Sequence, residues 1–118
     1  MKKPVVFVTQ VPNKKDATTG AFVPVVNISP ATEHGDIRIM MPATANFFAT
    51  NDLTLQLNEG LKDYDFDRGD SIVALGDPVI IAVVGALLAR ISPSFYVLRW
   101  DKNLARYVKI KVQIGDLQ

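Results

Sequence analysis

The chain has 118 residues, 48% of them apolar and 21% charged, with a formal net charge of +1 and no cysteine. That length supports one folded domain with a real core and is too short for two. The charge balance supplies neither a basic field favouring nucleic acid nor an acidic one opposing it, and the lack of cysteine excludes disulfides, thiolate metal sites and cysteine nucleophiles.

The N-terminus sets two lysines before an apolar stretch, as a signal peptide does, but that stretch is too short and no small-residue cleavage site follows. The longest apolar run, in residues 78–89, falls well below the roughly 20 residues that span a bilayer. A soluble, unprocessed, cytoplasmic protein is expected.

Residues 4–11, rich in Val and Phe, read as a buried first strand ending at Pro12. Polar residues 13–20 read as a loop, and residues 21–28 as an extended segment that Pro24 confines to an edge or an irregular strand. A second loop covers 29–35, and a short strand covers 36–41 before Pro42. A linker over 43–50 carries Phe47 and Phe48 as expected core anchors. Thr50 or Asn51 then caps a helix on which Leu53, Leu57, Leu61 and Tyr64 form one apolar stripe. The acidic turn that follows sets Glu59, Asp63, Asp65, Asp67 and Asp70 against Lys62 and Arg68. Nothing in its spacing singles out two carboxylates for acid–base work.

Residues 71–75 read as a buried strand that passes through a two-residue turn into a helix starting at Pro78. Asp77 suits the cap, and Pro78 suits the first helical position because its missing N–H would have no intrahelical partner. Ser92-Pro93 stops the helix near Ile91. Strands 94–100 and 106–114 close the chain as a hairpin around the polar turn 101–105. In the last strand Val108, Ile110, Val112 and Ile114 share one face, while Tyr107, Lys109, Lys111 and Gln113 share the other, the pattern of a half-buried antiparallel strand. Helix alternating with strand implies parallel pairing through right-handed crossovers. The expected fold class is therefore α/β, a single-domain mixed sheet of five to six strands with two main helices and an antiparallel C-terminal hairpin.

Three surfaces are candidates for function. If the first strand and the strand at 71–75 are parallel neighbours, Thr9, Gln10, Gly76 and Asp77 share the rim where open α/β sheets bind ligands. Asp77 and Pro78 disfavour phosphate there, one by charge and the other by removing a donor, and neither a Walker lysine nor a dinucleotide glycine pattern is present. On the second helix Ala82, Gly85, Ala86 and Ala89 fall on one side and Ile80, Val84, Leu87, Leu88 and Ile91 on the other. The bulky side belongs on the sheet. The small side is then either an alanine-rich solvent face or a contact with another subunit. Along the final hairpin Arg99, Lys102, Arg106, Lys109 and Lys111 interleave with Trp100 and Tyr107, a composition that suits single-stranded nucleic acid but reads more readily as a solvated edge with Trp100 in the core. The only histidine, His34, lies in Glu33-His34-Gly35-Asp36, which lacks the spacing of a metal motif and reads as a solvated turn. No metal, cofactor or catalytic residue is expected.

The stretch Leu-Gly-Asp-Pro with its apolar helix at 75–91, followed by Tyr-Val-Leu-Arg-Trp-Asp-Lys-Asn-Leu-Ala-Arg-Tyr-Val-Lys-Ile-Lys-Val at 96–112, resembles small uncharacterised proteins of tailed bacteriophages. The N-terminal Pro-Val-Val-Phe-Val-Thr-Gln fits the same pattern. The resemblance implies a viral accessory protein acting in the infected cell or the particle, and it transfers no catalytic residue. The leading expectation is a non-enzymatic interaction protein that binds a macromolecule, self-association through the second helix included. A small-ligand or nucleotide-binding protein, hydrolases among them, with its site at Thr9, Gln10, Gly76 and Asp77 is the alternative, and nucleic-acid binding by the basic hairpin is the second alternative. No membrane role is expected.

Overall fold

Val5–Gln10 (β1) is buried at every position, as a strand must be when it has neighbours on both edges and layers on both faces. Its neighbours are Asp36–Met41 (β4) and Ser71–Val73 (β5), both parallel to it. The sheet continues through Ser94–Asp101 (β6), parallel to β5, and Arg106–Gln113 (β7), antiparallel to β6, giving the order β4-β1-β5-β6-β7. The computed structural model describes residues 3–42 and 50–115. The mixed five-stranded sheet, the two helices and the C-terminal hairpin agree with the fold class read from the sequence.

Thr50–Gly60 (α1) and Pro78–Ile91 (α2) lie together on one face of the sheet. Val5, Phe7 and Ile72 meet Leu53, Leu57, Leu61, Ile80, Val84, Leu87 and Leu88 there. Leu61 and Tyr64 continue the stripe of α1 into the core although the helix ends at Gly60. On the opposite face Val6, Val8, Val73 and Leu98 pack with Ala31 and Tyr107. That side is covered by a 3-10 segment, Ser29–His34, in a region read from sequence as a loop. Pro30 near its start suits the first helical turn, and buried Ala31 is small enough to let the backbone approach the sheet.

The polar stretch read as a loop at 13–20 contains a further strand, Asn13–Lys15 (β2), which pairs antiparallel with Phe22–Pro24 (β3). Asp16 closes the turn by accepting from the backbone N–H of Thr18 and Thr19 at 2.7 and 3.1 Å. The expected strand 71–75 stops at Val73. The expected helix cap at Thr50 or Asn51 and the anchors Phe47 and Phe48 fall on side chains and residues outside the described ones.

At the N-terminal end of the sheet one buried carboxylate organises a loop that shows no pattern in the sequence. Asp70 accepts from the backbone N–H of Val5 at 2.8 Å and of Asp65 at 3.0 Å, and Arg68 bonds it through two nitrogens at 2.8 and 2.5 Å. A fully buried charge needs such a set of donors. Within the acidic turn, then, Asp70 has a structural role.

Candidate interaction surface

β1 and β5 are adjacent and parallel, so Thr9, Gln10, Gly76 and Asp77 do share one rim. Their polar groups are engaged within the chain. The Thr9 hydroxyl accepts from Leu75 N–H at 2.8 Å and donates to the Leu75 carbonyl at 2.5 Å, and Thr9 itself is buried. Gln10 accepts from Asp77 N–H at 2.9 Å and donates to the Pro42 carbonyl at 2.9 Å, tying β1 to both neighbouring strand ends. Gly76 has φ of +87°, and a Cβ there would stand 2.6 Å from Cβ of Gln10, so the turn closes directly on the Gln10 side chain. Asp77 caps α2 by accepting from Val79 N–H at 2.8 Å, and Pro78 occupies the first turn, as the sequence implied.

This rim has a consequence for the next strand. Pairing of β1 with β5 ends at Val8↔Val73, after which the Thr9 hydroxyl takes over and holds Leu75 beside β1. Pairing of β5 with β6 ends at Ile72↔Val97, whereas β6 continues against β7 to Asp101↔Arg106. The gap that opens between Ala74–Leu75 and the upper half of β6 is a cleft of about 990 Å³. Val73, Leu75, Val97, Leu98, Trp100 and Tyr107 line it, with Val26, Asn27 and Pro30 from the segment covering the back of the sheet. Trp100 is 43% exposed rather than in the core, its ring standing edge-on to Tyr107 at 5.1 Å between centroids. Burial pushes the Tyr107 phenol up from its ordinary pKa.

Faces of the hairpin depart from the sequence expectation for a physical reason. α2 packs on β1 and β6, and of the β7 face carrying Val108, Ile110 and Val112 only Val112 packs on the helix-side core, while Ile110 and, just beyond the strand, Ile114 are exposed. Tyr107, placed by alternation with the lysines, is buried instead under the 3-10 segment. His34 and Glu33 fasten that segment to β7. His34 Nε2 lies 2.9 Å from the Tyr107 carbonyl, and Arg106 donates two bonds to Glu33 at 3.2 and 2.6 Å. Among the described residues no three His, Asp or Glu side chains are grouped to hold a metal ion.

The five basic residues of the hairpin do not form one field. Arg106 is bonded to Glu33. Lys109 donates to the Gly69 carbonyl at 2.9 Å and sits over the Tyr96 ring, and Lys111 sits over the Phe66 ring. Arg99 is in register with Val108, on the face opposite Lys109 and Lys111, and Lys102 lies in the turn. Along α2, Ile80, Val84, Leu87 and Leu88 are buried, while Ala82, Ala86 and Ala89 are exposed and nothing lies within 4 Å of where a Gly85 Cβ would project. Ile91, assigned with the bulky side, is 46% exposed at the helix end.

A family model described as "Phage Pam3 gp32-like protein" matches residues 4–114. The chain belongs to this phage family. The match runs from β1 through β7, so the family's unit is the whole sheet with its two helices. The phage origin expected from the Leu-Gly-Asp-Pro helix and the C-terminal hairpin agrees with it, though the match does not single out those stretches. No curated protein and no solved structure matches the chain. This phage gp32-like protein presents an apolar cleft beside a partly exposed hairpin, together with a strand-end rim whose hydrogen bonds are internal. None of the described helices is long and apolar enough to cross a membrane.

The cleft residues from the back segment, Val26, Asn27 and Pro30, carry no sequence signal of function. One indirect signal was present: a strand at 71–75 shorter than the strand it feeds leaves an unequal pair.

Proposed function

We propose that this phage-family chain is a non-enzymatic accessory protein that acts by binding another protein. One observation carries the reading. The polar groups gathered at the strand ends are engaged in hydrogen bonds within the chain, whereas the exposed side chains of Trp100 and Ile110 stand on the apolar 990 Å³ cleft. Exposed aromatic residues at the mouth of an apolar concavity are the usual anchors of protein contacts. Splitting of the basic residues over two faces and their engagement with Glu33, Gly69, Tyr96 and Phe66 argue against a nucleic-acid track. The small exposed side of α2 is a second contact surface in this reading, one that takes another copy of the chain.

The test is affinity purification of the tagged chain from infected cells, with mass spectrometry of what it retains. Wild type and Ala86→Glu retain a phage or host protein that Trp100→Asp loses. Equal retention by Trp100→Asp contradicts the hairpin and cleft as the contact. Light scattering of Ala86→Glu against wild type reports self-association separately: an unchanged mass argues against the α2 contact.

A further inference from the structure

We infer that the cleft receives an extended peptide strand of the partner, which adds to the free edge of β6 with an acidic side chain opposite Arg99. This deepens the proposed function and rests on it. The register shows the free edge directly. β6 is paired on both sides only as far as Val97, and residues 98–101 have β7 on one side and, among the described residues, no strand on the other. Alternate backbone N–H and C=O groups along such an edge face outward and require partners.

The cleft has the shape that strand addition needs. Its wall includes four consecutive residues, Val97, Leu98, Arg99 and Trp100. Consecutive residues of a strand point to opposite faces, so a cavity lined by all four runs along the strand edge and opens to both faces of the sheet. At about 3.3 Å per residue, the unpaired part of β6 accommodates a segment of roughly four or five residues. Alternate side chains of that segment would meet Leu98, Trp100 and Tyr107 on one face and Val97, Ile110 and Val112 on the other.

Charge specifies the occupant further. Arg99 lines the cleft and its guanidinium has no ion-pair or hydrogen-bond partner among the described residues, in contrast to Arg38, Arg68 and Arg106, each of which holds a carboxylate. Lys102 in the adjoining turn adds a second cation without a partner among the described residues, in a neighbouring hollow that Asp101 also lines, its carboxylate accepting from the backbone N–H of Asn103 and Leu104. Among the described residues no carboxylate lines the cleft itself. A strand with apolar residues at alternate positions and a glutamate or aspartate among them matches both features.

The probe is an acetylated, amidated eight-residue peptide of alternating valine and threonine with one central glutamate, titrated into the isotope-labelled full chain and followed by amide NMR. Saturable shifts at residues 74–75 and 97–101, with slowed hydrogen exchange of the outward β6 amides, are expected. N-methylation of alternate peptide amides should weaken binding by about tenfold or more, because strand addition rests on main-chain bonds. Arg99→Glu, an exposed substitution that leaves the core intact, should lose the glutamate peptide and prefer its lysine counterpart. Absence of saturable shifts with every peptide overturns the inference. So does binding indifferent to N-methylation, or occupation of the same residues by dodecanoate alone, which would make the cleft a site for small amphiphiles. If peptides fail while Trp100-dependent retention of a partner stands, strand addition is wrong and protein binding survives; if both fail, the functional reading falls as well.

Discussion

Replacing Thr9 by valine tests whether the strand-end rim is a structural lock. The two side chains are nearly the same shape, so the change removes a hydroxyl without opening a cavity. In the wild type that hydroxyl accepts from Leu75 N–H at 2.8 Å and donates to the Leu75 carbonyl, at a residue that is itself fully buried. Loss of one partner from a buried donor and acceptor costs about 1–3 kcal/mol per group left unmade, and water reaches half-buried Leu75 well enough to restore part of it. A net destabilisation of about 2 kcal/mol follows, which for a chain of this size lowers Tm by roughly 6–12 °C. The assay is urea and thermal unfolding followed by circular dichroism. Because Thr9 also holds Leu75 away from β6, the amides of 74–75 should exchange faster in Thr9→Val while those of Val6 and Phe7 do not. A stability change under about 0.5 kcal/mol, the range of an ordinary surface substitution, would refute the reasoning.

Other perturbations probe different parts of the same account. Gly76→Ala places a methyl against Gln10 at a φ of +87° and should destabilise by about 1–3 kcal/mol in the same unfolding assay. Asp70→Asn leaves Arg68 and two backbone N–H groups competing for one carbonyl oxygen, and should cost about 2–4 kcal/mol, more than Asp67→Asn at an exposed position. Ser71→Ala removes a buried hydroxyl that has no hydrogen-bond partner among the described residues, so stability should hold or rise by up to about 1 kcal/mol. Arg106 bonded to Glu33, and Arg38 bonded to Asp63, hold both carboxyls below their ordinary pKa. A carboxyl depressed by folding contributes stability above its unfolded pKa and loses it as pH falls through its folded one, so unfolding free energy should decline as pH drops below the ordinary carboxylate range of about 4. Glu33→Gln should flatten part of that decline, read from carboxyl NMR titration and unfolding at each pH.

Local chemistry was what the sequence made legible. Asp77-Pro78 declares a cap and a first turn within two residues, Pro42 closes β4, and the spacing of Leu53, Leu57, Leu61 and Tyr64 marks the buried stripe even past the helix end. What stayed hidden depends on partners far along the chain. The strand at 71–75 stops early because a hydroxyl 66 residues away holds Leu75. Tyr107 is buried because His34 and Glu33, 73 residues earlier, bring a segment over it, and Ile110 is exposed although Val112, two residues on along the same face, packs on the helix-side core. Alternation shows which residues share a face of a strand and says nothing of what lies over that face. The candidate rim was thus recognised correctly as a convergence of four residues, while its bonding, and the cleft that this bonding opens beside β6, required the fold.

Hydrogen–deuterium exchange of the chain alone and in complex with the protein it retains from infected cells tests the central claim most directly. The account predicts protection on binding at residues 97–101 and 107–112, with Thr9, Gln10 and Gly76 unchanged. Protection confined to Thr9, Gln10 and residues 74–77, with the hairpin unaffected, would contradict it.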